Sequence, residues 1–523
     1  MKAMDGSGNN ISVQYTALNK TSGNWEANVS PPKQEAWVTA EIKLNNGSTI
    51  TVPVNDRGGL VQNLVTATPI GSADELNAIR GGKSDYPLGW YYVQYEDIDL
   101  SSIANWTPIG NGVQNDPFAG IYEGRGKTIR NLKITGSRNY TGLFGGLSRG
   151  GVIRDITLIG ASVEGGNMTG GISGESAGLI LNCSYFGTVR GNTGVGGIAG
   201  RVTNNGEIAY CSFIGPSEGK QYTGGIAGQV DASTVRNSLN GGTISGGTAT
   251  GGIAGGSSAS GSSYIMCKNT GEVRGSGDNT GGIVGINNGG TIRACHNTAG
   301  VIGGGMEAGG VAGANFSWAV ISASSNSGNV QGANRIGGIA GRSENAEINS
   351  SRNTGSITVT GKYVGGIIGY NKVSDVFSCY HSGSVTGVIR VDKDGAGGII
   401  GWQSGGGTVA GCYSTGSVKG THAAGIVGDI TEGSRLNLLA NYWQESSKLG
   451  TNGYHGIGWP ANTDNAKPFG ETSTLIRPLD PWPRAETQHD WGIGDGSGRS
   501  KYWKNLGSWN GGTNPVFPKL FWE

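Results

Sequence analysis

The five-residue element Gly-Gly-(Ile/Val)-x-Gly recurs along most of this chain. It reads TGLFG at 141–145, TGGISG at 169–174, GGIAG at 196–200, 224–228 and 251–255, and GGIVG at 281–285. It continues as GGVAG at 309–313, GGIAG at 337–341, GGIIG at 365–369 and 397–401, and AGIVG at 424–428. The last glycines are separated by 26 to 32 residues, and most gaps lie near 28. A chain that returns to one pattern at a nearly constant interval is a stack of like units. The 101 glycines among 523 residues follow no Gly-X-Y period, so a collagen triple helix is excluded.

Each anchor is followed by a short apolar alternation, a polar turn and a second alternating run. Examples are ILNCSYFGTVRG (180–191), IRACHNTAGVIGG (292–304), INSSRNTGSITVTG (348–361) and VAGCYSTGSVKG (409–420). Such segments read as short strands punctuated by turns, and the repeat has no 3.6-residue period long enough for a packing helix. The expectation is an all-β fold, a parallel β-helix with one coil per repeat, right-handed by analogy with parallel crossovers. Coils about 4.8 Å apart align equivalent side chains into ladders. The anchor's Ile or Val points inward. Its glycines are expected to provide a φ > 0 turn and close backbone approach.

The six cysteines, Cys183, Cys211, Cys267, Cys295, Cys379 and Cys412, share one register, with Ser238, Ser324 and Ser351 in the remaining repeats. This predicts a buried ladder of small residues. Disulfides between adjacent coils are the alternative, disfavoured because in-register Cβ vectors run parallel. Two residues on come Asn240, Asn269, Asn297, Asn326 and Asn353, which predicts amides bonded along the stack at a turn, where asparagine also tolerates the left-handed conformation. His381 takes the same place in its repeat.

These residues resemble the GLUG-motif repeat family, with TGLFG, the GGIxG series and the C-x-N-T-G-x-V segments carrying the likeness over 141–430. Residues 73–134 look like the coil that opens such β-helices, and NYW (441–443) and FPKLFWE (517–523) look like their ending. The resemblance implies a secreted or surface-attached bacterial protein, adhesin-like, and offers no catalytic residues to carry over. Some relatives carry peptidase domains elsewhere, and this chain shows none.

Three regions follow: a small antiparallel β module at 1–68, faintly similar to Bacteroides-type fimbrillin modules; the β-helix with its lead-in coil at 69–445; and a capping segment at 446–523. The last region and its boundary hold seven of the thirteen tryptophans, from Trp443 to Trp522. These either cover the open end of the solenoid or form sugar-stacking platforms. A signal-like apolar run is absent from MKAMDGSGNN, so an export signal is expected to have been removed if the protein is extracellular or at the cell surface. The formal charge of +1, with 14% charged residues and no basic tract, argues against nucleic acid. No apolar run is long enough to span a bilayer. A monomer is expected.

Enzymes on β-helices need paired carboxylates or a base with Ca²⁺. The metal candidates are Asp392 and Asp394 with Arg390 in VIRVDKDGAGG, a fragment of a Ca²⁺ loop and otherwise a solvated turn. Asp490, Asp495 and Arg499 form a second set. The five histidines are scattered. Three function classes remain open: a non-enzymatic protein binding a surface ligand such as a polysaccharide or host protein, a carbohydrate-active enzyme, and a structural spacer.

Overall fold

The computed structural model describes residues 67–80, 86–113, 116–387, 395–420, 422–431, 434, 436–439, 441–443 and 523, together with short strands in 2–54 and 457–520. Two compact units divide the chain: Met1–Pro69 with Trp90–Val93, and Ile70–Gly89 with Gln94–Glu523. The first carries an antiparallel sheet in the order Asn10–Ile11, Lys2–Asp5, Ala36–Lys43, Thr49–Val54. The β-branched runs WVTAEIKL and STITVPV supply its longest pair, with Val38 opposite Val54 and Ile42 opposite Ile50.

The second unit is a parallel β-solenoid of about 13 turns, with coils of about 28 residues. One coil illustrates the path. Thr234–Arg236 pairs with Ser263–Ile265 of the next coil, Leu239–Asn240 with Lys268–Asn269, Ile244–Gly246 with Val273–Gly275, Thr250 and Gly251 with Thr280 and Gly281, and Ala254–Gly256 with Val284 and Ile286. Every pairing is parallel and in register, so each coil's backbone is hydrogen-bonded to its neighbours. The strands after the anchors form a 12-stranded sheet from Phe144–Leu147 to Ile457–Trp459. A seven-residue helix, Ala73–Ile79, opens this unit. It is capped by Ser72, whose hydroxyl accepts from the Glu75 amide, and Leu76 and Ile79 are buried.

The anchor is a device for close approach. In 224–228, a Cβ at Gly224 would overlap the Ala227 carbonyl, one at Gly225 would overlap the Asn240 side chain, and one at Gly228 would overlap the backbone of the preceding coil at Val195. None of the three has a positive φ. The expected φ > 0 turn at the anchor is therefore corrected. The left-handed corners lie elsewhere and mostly hold residues with side chains. One corner precedes the Cys/Ser register, at Asn182, Tyr210, Asn237, Met266, Ala294, Ala323, Ser350 and Ser378, with φ of 48–54°. A second, at Met168, Tyr222, Ala249, Asn279, Glu307, Arg335 and Tyr363, lies two residues before the first glycine of the anchor. Non-glycine residues there carry about 1–2 kcal/mol of strain each, sustained by the stacking on both sides.

The Cys/Ser register is a hydrogen-bonded ladder. The Cys211 and Cys295 amides donate to the hydroxyls of Ser238 and Ser324 in the next coil, both at 3.2 Å, and the Ser324 amide donates to Ser351 at 3.2 Å. The Cys379 amide lies 3.4 Å from the Cys412 sulfur. Each Ser or Cys side chain turns back to the carbonyl two residues before it, as Ser238 does to Arg236 at 2.9 Å. All six thiols are free and buried. Burial, then the neighbouring thiol one coil away, pushes the Cys183, Cys295 and Cys379 thiols up, so they stay protonated.

The asparagine ladder forms as expected, with the residues inside short strands and without positive φ. Asn240 donates to the Asn269 carbonyl oxygen at 2.7 Å, and the pattern continues through Asn297, Asn326 and Asn353 at 2.7–2.8 Å. Each amide also bonds the backbone two residues on, as Asn240 does with Gly242 in both directions at 3.0 Å. These buried amides are thereby satisfied. Tyr185 and Phe213 occupy the register before Asn240, stacked with ring centroids 5.9 Å apart. His381, Ser414 and Trp443 close it at the other end.

Two substitutions test the ladders. A second polar row, Asn287, Asn315, Ser343, Asn371 and Gln403, is broken at Ser343: the Asn315 amide nitrogen and the Asn371 amide oxygen have no partner. Ser343→Asn restores both bonds, and the expected outcome is a gain of about 1–2 kcal/mol in urea unfolding. His381 is fully buried, accepts from Asn353 at 3.0 Å and has an unpartnered Nε2. Burial lowers its pKa from 6.5 to about 4. The neutral ring's contribution is whole above pH 6.5 and is lost as pH falls toward 4. His381→Asn, which extends the ladder, is expected to flatten the fall in thermal midpoint across that window, and an unchanged pH profile would count against this assignment.

Candidate binding face

The sheet formed after the anchors alternates inward and outward residues. Its inward positions carry Asn287, Asn315, Ser343, Asn371 and Gln403, all buried, while the anchor residues Ile283, Val311, Ile339, Ile367 and Ile399 are buried in the bend just before each strand. The residue one place after each anchor points outward. In register this row runs Ala314, Arg342, Tyr370, Trp402, Asp429. Two places on runs a second outward row, Phe316, Glu344, Lys372 and Ser404. Flanking the anchor on its other side are the left-handed corner residues Glu307, Arg335 and Tyr363.

These three rows meet in one patch. Tyr363 lies with its ring centroid 4.6 Å from that of Trp402 and 6.1 Å from that of Tyr370. The Arg335 guanidinium sits over the Tyr370 ring at 4.8 Å, a cation–π contact. Arg335 also pairs with Glu307 at 2.6 Å, and Arg342 reaches Glu307 at 3.8 Å. Glu344 is held by Arg342 and by Lys372, the latter at 2.7 Å. The Lys372 hydrogen bond, followed by Arg342, holds the Glu344 carboxyl below the usual range, so it stays ionised. The Trp402 indole donates to Thr431 at 3.0 Å. Beside the patch, Phe316, Ser317, Trp318, Arg342, Glu344 and Asn345 line an open groove. Trp318 is 84% exposed, although its own φ of 67° and its backbone bond to Asn345 fix its place.

Nearer the start of the solenoid the same outward row carries Glu175, Arg201 and Gln229. Arg201 pairs with Asp231 at 2.9 Å and Glu175 at 3.4 Å, and both carboxylates are buried. Asp231 also accepts from Gln229, and from the Ser258 amide and hydroxyl.

The metal candidates Asp392 and Asp394, with Arg390, lie outside the described residues, as do Asp490, Asp495 and Arg499. Among the described residues no group of three or more His, Cys, Asp or Glu could hold a metal ion. His296 bonds Ser325 at 2.9 Å, and His422 faces Asp429 at 3.3 Å. His455 and His489 lie outside the described residues, as does most of the tryptophan-rich segment. Trp443, at its boundary, is buried against Gly425 and closes the ladder. Sequence reasoning missed the aromatic patch. Its signal was the residue after each anchor, which changes from Arg342 to Tyr370 to Trp402 while the anchor stays constant.

Residues 191–217 match the family model described as the GLUG motif. This segment of the chain carries a GLUG motif. Halomucin from Haloquadratum walsbyi is 31% identical over 213 residues, 38% of this chain and 2% of halomucin. A protein of Evansella cellulosilytica described as a Gly-rich membrane protein is 32% identical over 105 residues, 18% of this chain and 12% of that one. The chain thus spans a small fraction of either relative. The first of them is archaeal, so similarity to this chain is not confined to bacteria. A solved structure from Bacteroides ovatus, assigned as an immunoglobulin A1 protease, aligns with a TM-score of 0.35 and 20% identity over 57% of this chain and 78% of that one. That likeness is too low to carry an argument. No helix among the described residues is long and apolar enough to cross a membrane.

The packing of the patch makes its own prediction. Tyr363→Ala is expected to remove support from both Tyr370 and Trp402. The checks are a change in tryptophan emission together with a thermal midpoint within a few degrees of the parent, since the residue lies on the outside of the coil.

Proposed function

We propose that this chain is a surface-associated, non-enzymatic binding protein, in which the GLUG-repeat solenoid is a rigid support and the outward patch around Trp402 contacts a polymeric ligand. The supporting observation is the exposure of Trp318 in a groove that shares Arg342 and Glu344 with the patch holding the half-buried rings of Tyr363, Tyr370 and Trp402. Large rings held at a surface by hydrogen-bonded strands are ready to bind with little ordering cost. The two relatives, halomucin and a Gly-rich membrane protein, support a surface setting. An adhesin-like role is the finer form of this reading.

A carbohydrate-active enzyme is the second reading, and Glu175 and Asp231 on either side of Arg201 favour it. Glycosidases need one carboxyl raised to act as an acid. Both carboxylates here are engaged by the same guanidinium.

The test is retention of the chain on arrays of polysaccharides and host matrix proteins, with the flow-through examined for new oligosaccharides. Retention without products is the expected result. New oligosaccharides that disappear in Glu175→Gln would replace this reading with the enzymatic one, and absence of retention on every surface would leave a spacer.

A further inference from the structure

The charges in the patch are internally paired. Arg335, Arg342 and Lys372 face Glu307 and Glu344, and one coil further Asp429 faces His422. Three permanent cations meet three carboxylates, so these groups leave the patch no surplus charge. A polyanion would have to break existing pairs to gain new ones, at a desolvation cost that surface pairs rarely return. The strands beneath are also closed to a peptide. Ile368–Lys372 is paired on one side with Ala340–Glu344 and on the other with Ile400–Ser404, which leaves no free edge for an added strand.

The remaining chemistry is ring faces and polarised hydrogen-bonding groups. Tyr370 and Trp402 are register partners in consecutive coils, so their backbones follow one another along the stacking direction at the coil spacing of about 4.8 Å, and the Tyr363 ring packs against both. That spacing is comparable with the length of a pyranose ring. The C–H faces of sugars pack on aromatic rings, while their hydroxyls donate to carboxylates and accept from guanidinium groups without requiring net charge.

We propose that this patch binds a neutral polysaccharide strand laid along the coil-stacking direction, with Tyr370 and Trp402 under successive sugar units and Trp318 at the side of the groove. The inference rests on the polymer-binding reading above and specifies its ligand.

Affinity electrophoresis of the full chain tests it, in gels containing a neutral polymer (galactomannan, arabinoxylan or a mixed-linkage glucan) or an acidic one (polygalacturonate or chondroitin sulfate), at low and high salt. The expected result is retardation by at least one neutral polymer, unchanged by salt, and about tenfold weaker in Trp402→Ala. Trp318→Ala, which removes a side chain exposed to solvent, is the second variant and is expected to weaken retardation without altering the melting curve. Retardation by acidic polymers alone, falling with salt, overturns the neutral assignment and leaves the polymer-binding reading standing. The same holds for retention on a host matrix protein with no polysaccharide retarded. Retardation by a neutral polymer that neither tryptophan variant weakens overturns the assignment to this patch. No retention on any polysaccharide or protein surface overturns both.

Discussion

The cross-section of the coils from Gly171 to Gly425 depends on one contact across the interior: the second anchor glycine lies directly on the side chain of the ladder residue. Gly225 meets Asn240, Gly252 meets Asn269, Gly282 meets Asn297, Gly310 meets Asn326 and Gly338 meets Asn353. A single methyl group at any of these glycines would push the two walls apart. The coils above and below would then lose register with it, because parallel strands share hydrogen bonds only when their backbones superpose. The same spacing admits a histidine at Gly366 and a tryptophan at Gly425, so the glycine is the constant and its partner the variable.

The interior ladders turn burial of polar groups from a liability into a register lock. A buried amide that pairs with its copies satisfies itself only if the copies stand in line. An isolated Asn326 would cost stability, whereas flanked by Asn297 and Asn353 it bonds both and its own turn. Where the pattern lapses, the cost appears at named atoms: His381 Nε2 at the end of one row, and Asn315 and Asn371 on either side of Ser343 in the other. With the interior so constrained, the outward positions are free to differ between coils.

That division explains what could be read from the amino-acid sequence. The period, the strands, the inward Ile/Val rows, the Cys/Ser register and the Asn ladder are all repeated features, and repetition makes each visible several times over. The conformation of the corners was not legible. Tyr210, Met266 and Ala294 hold the left-handed conformation that the eye assigns to glycine or asparagine, because stacking on both neighbours outweighs a local preference of about 1–2 kcal/mol. The binding patch was missed for the opposite reason. Arg335, Tyr363, Tyr370 and Trp402 occur once each, and their proximity arises from coil geometry, not from spacing along the chain.

Function in such a fold therefore resides in departures from the repeat. The first half of the anchor sheet shows Glu175, Arg201, Gln229 and Gly256 in the outward row, and the second half shows Arg342, Tyr370 and Trp402. The backbone beneath the two halves is the same, so the chemical difference between them owes nothing to the fold. Ion pairing keeps the first half polar and closed around Asp231. In the second half other ion pairs flank half-buried rings, and Arg335 braces Tyr370 through its face. A rigid lattice of identical coils is thus able to place unlike side chains at fixed distances along one face, and that is the property a receptor for an extended, repeating ligand requires.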